Sequence, residues 1–187
     1  MLKILLSTAL LSLCATGAVL ANDASGTEWS GLYFGLQAGS DNSNLSKGNF
    51  SADFPDSTDI GAHFGYMRDM GAVVVGGEGE YGSLNFADLD GDGTVLRLKA
   101  RVGYDAGRLL PYLTVGVANF STNGSGDDIS ESGFSAGLGI DYMATDMFIV
   151  GAELLTDTYN GFAEDVSGVS GLTYTFNAIE IRASLRF

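Results

Sequence analysis

One cysteine, two prolines, one tryptophan and one histidine in 187 residues remove several possibilities at once. The lone Cys14 excludes an intrachain disulfide and a cysteine-built metal site. It follows Leu13, where a lipidation signal requires a small residue, so a lipid anchor is not expected there. Basic residues are also scarce: 9 Lys plus Arg stand against 23 Asp plus Glu, a net charge of -14. Nucleic-acid binding needs clustered Lys and Arg and is excluded. A helical period is missing too. From Gly31 onward apolar residues recur at every second position, and glycines interrupt each run, which leaves strands as the regular element. What is present is a hydrophobic fraction of 45% with only 17% charged, too apolar for a disordered acidic tail. The 27 glycines are about twice the ordinary ~7% share and point to close backbone packing. The length suits one domain.

The first residues read as an address. Met1-Leu2-Lys3 is a short positive start, Ile4 to Leu13 run mostly apolar, and Val19-Leu20-Ala21 forms a small-residue cleavage site. The expected organisation is a signal peptide over 1–21 and a β-barrel over 22–187. The apolar stretch is shorter than the ~20 residues a spanning helix needs.

Eight strands are expected at about 31–40, 58–67, 72–82, 94–105, 109–120, 133–142, 147–158 and 173–187. Each meets the ~9–11 residues of a tilted membrane-spanning strand. Arg68-Asp69-Met70-Gly71, Asp105-Ala106-Gly107-Arg108 and Met143-Ala144-Thr145-Asp146 are tight turns, whereas 41–57, 83–93, 121–132 and 159–172 are long and polar. In an up-and-down meander the tight turns gather at one end and the long loops at the other, the asymmetry of outer-membrane barrels. Tyr66, Tyr104 and Tyr142 stand 38 residues apart, each just before a tight turn. With Trp29 and Phe187 they would form an aromatic girdle at a membrane interface.

Alternation splits every strand into two faces. One carries Leu32, Phe34 and Leu36, Ile60 and Phe64, Leu96 and Leu98, Leu138 and Ile140, Ile179 and Ile181, and no charge in any of the eight strands. The other carries Asp59, His63, Glu78, Glu80, Arg97, Lys99, Arg101, Asp141, Glu153, Glu180, Arg182 and Arg186. Paired charges are what a narrow lumen demands, since an isolated buried charge is strongly penalised. The expected lumen network is Glu78, Glu80, Arg97, Lys99, Arg101, Glu153, Glu180 and Arg182. Glycines 35, 39, 61, 65, 137, 139 and 151 on that face would make room for it. A soluble lipocalin-type binding barrel with the faces reversed fits the alternation equally well. The tyrosine level, the loop asymmetry and the alternation that runs to terminal Phe187 favour the membrane version.

The segments Trp29-Ser30-Gly31-Leu32-Tyr33-Phe34-Gly35, Gly61-Ala62-His63-Phe64-Gly65-Tyr66, Val75-Gly76-Gly77-Glu78-Gly79-Glu80-Tyr81 and Arg182-Ala183-Ser184-Leu185-Arg186-Phe187 resemble the opacity-type, OmpA-like eight-stranded outer-membrane proteins of Gram-negative bacteria. The resemblance implies an all-β, eight-stranded antiparallel up-and-down transmembrane barrel, a surface-exposed structural or adhesive role often labelled porin-like, and no catalytic residues. It also implies that the barrel assembly machinery reads the C-terminal strand with its final Phe187. Other expected partners are membrane lipid, lipopolysaccharide, and a host or surface ligand held by the long loops.

Little else suggests chemistry, and no cofactor is expected. Asp88-Leu89-Asp90-Gly91-Asp92 matches the opening of a calcium loop, but Lys99 stands where the twelfth-position Glu belongs, so Asp88, Asp90 and Asp92 form only a weak metal candidate. His63 has no evident partners for a metal or a nucleophile. A narrow porin passing ions or small solutes is the alternative to a closed barrel, but eight strands leave an interior just wide enough for side chains.

Overall fold

A computed structural model describes residues 27–47, 50–86, 92–123, 129–160 and 173–187, and the regular elements among them are all strands. The expected leader, Asp88, Asp90 and most of the 159–172 loop lie outside the described residues. The elements are β1 (Gly31–Lys47), β2 (Phe50–Asp69), β3 (Val73–Phe86), β4 (Asp92–Tyr104), β5 (Leu109–Asn123), β6 (Ile129–Met143), β7 (Phe148–Asn160) and β8 (Thr173–Arg186). Each pairs antiparallel with its neighbours, and β1 pairs with β8 from Tyr33↔Arg186 to Ser46↔Thr173, which closes the barrel.

The short turns lie where turn chemistry puts them. Asp69 accepts the Gly71 amide at 2.8 Å and Asp105 accepts the Gly107 amide at 2.8 Å. Gly71 and Gly107 have φ of +96° and +74°, which a side chain would resist. In the third turn the Thr145 hydroxyl accepts the Phe148 amide at 3.0 Å.

The strands run past their expected ends at the opposite rim. Residues 41–47 and 50–57 belong to β1 and β2, with a register shift between Asp41 and Ser43, although 41–57 reads as a loop in sequence. Similarly β3 reaches Phe86, β5 reaches Asn123 and β6 begins at Ile129. The reason is physical. Period-2 hydrophobicity reports where one face is buried or greasy, while the backbone hydrogen-bonded ladder needs no such pattern and continues past it.

Within the band the faces separate as alternation requires. Leu98 is 66% exposed on the outer wall while its neighbour Lys99 is 2% exposed inside. Ile181, Phe64 and Leu36 share the outer face. Outward-facing Gly79 is buried nonetheless, because the Phe64 ring lies across it, 2.8 Å from where a Cβ would stand. The lumen glycines seat side chains from the next strand: a Cβ at Gly65 would meet the Tyr33 hydroxyl at 2.5 Å. A Cβ at Gly116 would fall 2.8 Å from the Lys99 Cα, against backbone that cannot swing away. Gly116→Val should therefore destabilise the barrel by about 1–3 kcal/mol, the usual range for overpacking. A lower urea midpoint in lipid vesicles, read by heat-modifiable gel migration, checks this.

Candidate functional site

Among the described residues, the lumen gathers the buried ionisable groups. Register does the first part of the work: Glu78 faces Lys99 and Glu80 faces Arg97 across the β3–β4 ladder, while Glu153 faces Glu180 across β7–β8. Two like charges directly opposite would repel, and their side chains part. Glu153 turns to Lys99 (3.2 Å) and Arg182, and Glu180 turns to Arg97 (3.5 Å).

Nearer the short turns, Glu78, Asp141 and Glu153 interlock with Lys99, Arg101 and Arg182. Lys99 lies 3.0 Å from Glu78, Arg182 donates to Glu78 at 2.5 Å, and Arg101 donates to Asp141 at 2.7 Å. Two tyrosines brace this group. The Tyr33 hydroxyl donates to Glu78 at 2.7 Å, and the Arg101 guanidinium stacks 3.8 Å above the Tyr112 ring. The Thr114 hydroxyl donates to Glu153 at 2.9 Å. Nearer the long loops, Arg97 reaches Glu80 and donates through Nε to Asp157 at 2.8 Å. Lys99 joins the two groups through Glu80 at 2.6 Å.

Each expected member of the network thus lies in the lumen, buried. Asp157, Tyr33, Tyr112 and Thr114 were not anticipated. Parity with Glu153 on the same strand would have found Asp157. Gly65 and Gly139 on the paired strands mark the slots the two tyrosine rings fill.

Apolar layers bound the charges on both sides. Toward the long loops lie Phe120, Tyr159, Tyr174 and Phe176 with Val95 and Leu155, the first three rings spaced 6.2–6.4 Å between centroids. Toward the turns lie Trp29, Met67, Val74, Leu110, Met143 and Ile149. Here one expectation fails. Tyr66, Tyr104, Tyr142 and Phe187 are exposed on the outside, but Trp29 is fully buried, so it is no part of an outer aromatic level. The residue precedes β1 and folds across the barrel end, where its indole N–H donates to the Gly107 carbonyl at 3.0 Å and Asp69 accepts its amide at 3.1 Å. Arg186 ties the same segment down through the carbonyls of Glu28 and Ser30. At this rim the Ser30 hydroxyl and amide hold the Glu28 carboxyl below its usual range.

His63 acquires one partner from the adjacent β1 and a second that only closure supplies. Its Nδ1 lies 2.6 Å from Gln37 Oε1 and its Nε2 lies 2.8 Å from the hydroxyl of Ser184, 121 residues away. With the Gln37 oxygen facing it, a neutral ring carries its proton on Nδ1 and accepts from Ser184 at Nε2; the opposite amide orientation reverses both roles. The order serine, histidine, amide matches that of a hydrolase relay. Ser184 is buried in the lumen, 7% exposed. The Asp88–Asp90–Asp92 candidate gains nothing: two of its residues lie outside the described residues, and Asp92 is placed only as the first residue of β4.

A family profile described as "Outer membrane protein beta-barrel domain" matches residues 8–187. The 25 kDa outer-membrane immunogenic protein of Brucella abortus biovar 1 is 30% identical over 152 residues, which cover 76% of this chain and 71% of that protein. Its counterpart in Brucella ovis is 30% identical over 158 residues, covering 79% and 78%. Among solved structures, Neisserial surface protein A superposes with a TM-score of 0.52 at 17% identity, over 84% of this chain and 98% of that one. The outer membrane protein OprG of Pseudomonas aeruginosa superposes with a TM-score of 0.50 at 15% identity, over 88% and 99%. Both are likenesses of fold.

Lys99 touches Glu78, Glu80 and Glu153 and is itself buried. Removing its charge leaves carboxylates without compensation, so Lys99→Met should lower the unfolding free energy by about 3–5 kcal/mol. Urea titration of the vesicle-embedded protein measures it.

Proposed function

The chain belongs to the outer-membrane protein β-barrel family and resides in the outer membrane, and from that footing we propose that it is a closed, non-catalytic barrel acting as a structural and surface-interaction protein. With hydrocarbon around the wall, the uncharged outer face is required, since an Arg or Lys at the bilayer midplane costs about 2–4 kcal/mol. The reversed, lipocalin-type arrangement is thereby set aside.

The observation that carries the closed reading is the filled bore: the Trp29 layer, the ion-paired middle and the Phe120–Tyr159–Tyr174 layer follow one another along the axis. A hydrated ion would have to cross two apolar layers, which argues against the narrow porin. In this reading 1–21 serves as the export signal, the strand ending in Phe187 is offered to the assembly machinery, and the long polar connections meet a host or surface ligand. The Brucella relatives carry "immunogenic" in their name, which suits a chain displayed at a cell surface. Acidic loops would repel lipopolysaccharide phosphates unless divalent cations lie between them.

Purified protein in a planar bilayer should give no steady conductance steps; regular unitary steps would reinstate the porin. Removing the outer end of the β1–β2 hairpin (residues 44–53) and shortening the connection between β7 and β8 should abolish cell-surface binding while heat-modifiable migration stays unchanged. Unchanged binding would remove the loops as its source.

A further inference from the structure

At two lumen positions β1 carries glycine, and at each the side chains of its two neighbours meet over it. Gly35 is in register with His63 on β2 and Ser184 on β8, which touch at 2.8 Å. Gly39, two lumen positions nearer the loops, is in register with Asp59 on β2 and Glu180 on β8. A Cβ at Gly39 would fall 3.0 Å from Glu180 Cγ and 2.6 Å from the Ile179 carbonyl oxygen, so the glycine is what lets Glu180 lie across β1. There the two carboxyl groups come into hydrogen-bond contact.

Ionised carboxylates only accept, so two of them cannot form that contact. Among the described residues no donor reaches either oxygen of Asp59, nor Oε2 of Glu180. The cations nearby are committed elsewhere. Arg97 donates to Asp157 at 2.8 Å and reaches Glu80, but it stays 4.0 Å from Asp59 and 3.5 Å from Glu180. Lys99 is divided among Glu78, Glu80 and Glu153. The other charges that face the pair are acidic: Glu80 on β3, Asp157 on β7, Glu153 opposite Glu180 in register, and Asp41 as the next buried residue of β1. Among the described residues eight buried carboxyl groups stand against four buried cations, Arg97, Lys99, Arg101 and Arg182. A low dielectric does not sustain full ionisation of such a set, and a carboxyl group there neutralises by keeping a proton.

We propose that Asp59 and Glu180 share one proton, forming a latch that runs from β2 to β8 over β1 and so spans the seam where the barrel closes. One carboxyl donates, the other accepts, and the pair carries a single negative charge toward Arg97. The latch holds in acidic and neutral media. At high pH it is released, because a second charge appears in the pair and the two carboxylates repel beside the seam. Carboxyls of the unfolded chain lose their protons above ~3.9–4.3, so between that range and release folding takes up a proton. The folded state then binds more protons than the unfolded one, and its advantage falls as pH rises, by about tenfold per pH unit. The inference rests on the closed lumen proposed above; a conducting bore would show in planar bilayers whatever the proton does.

The test folds the full barrel into vesicles in H₂O or D₂O, records infrared spectra at neutral pH, and follows urea unfolding between about pH 5 and about pH 9, above the range of free carboxyls. Wild type should show a protonated-carboxyl band that moves in D₂O. The band should vanish in Asp59→Asn and in Glu180→Gln, where an amide N–H takes the place of the shared proton. Each variant is verified as folded by gel migration, and should one fail to fold, the other carries the comparison. Their stability should fall less steeply with pH than that of wild type, the difference being about one proton or about tenfold per pH unit. At the alkaline end both should unfold more slowly than wild type. A wild-type spectrum without the band would overturn the proposal with no variant needed. So would a band that survives in either variant. A pH slope that persists in Glu180→Gln and disappears in His63→Gln would assign the proton to the neighbouring histidine and overturn it equally.

Discussion

A peptide group facing hydrocarbon has no water to turn to, and each one left unpaired there would cost several kcal/mol. The ladder between β1 and β8 removes that cost by leaving no edge. Everything else in the molecule is arranged around this closure. The eight strands must tilt and stagger to meet, the bore that results admits side chains and little more, and whatever faces inward must satisfy itself there. The uncharged outer wall and the interlocked charges within are two results of one geometric demand.

Inside the bore, order along the axis does more than composition. Acids and bases at a single level would need only pairwise contact, but here Lys99 spans both groups, linking Glu153 and Glu78 to Glu80. Arg182 reaches from β8 to β3 and β7, and Arg97 reaches from β4 to β7 and β8. Of these contacts, Arg182–Glu78, Lys99–Glu153, Arg97–Asp157 and Arg97–Glu180 join strands that are not neighbours in the ladder. They brace the cylinder across its diameter, where backbone hydrogen bonds act only around its circumference. The tyrosines contribute similarly, since Tyr33 on β1 meets Glu78 on β3 and Arg101 on β4.

Much of this was legible in the sequence because alternation is a strict code wherever one side is greasy. It placed Leu98 outside and Lys99 inside, and it located the three short turns. The code lapses where apolar alternation stops, so β1 beyond Asp41 and β2 before Thr58 read as a loop. It is also silent about residues that precede a strand. Trp29 has the composition of an interface anchor, yet backbone and side-chain acceptors at Gly107 and Asp69 draw it inside, and neither can be inferred from neighbours in sequence. The Ser184–His63 contact is hidden for a related reason: it exists only because the first and last strands meet. Asp157 is different. Its parity with Glu153 was available, and its place in the network could have been read directly.

The continuation of the ladder past the greasy belt bears on what a binding partner would encounter. Strands rise about 3.3 Å per residue, so even tilted, the seven or so extra residues of β1 lift the rim by roughly 15–20 Å. That height is built of paired strands, with Ser43 in register with Phe54 on one side and Phe176 on the other. Recognition on such a surface is a matter of shape assembled from distant stretches of chain. A short linear peptide copied from any one of them would present the right letters without the relief they make together.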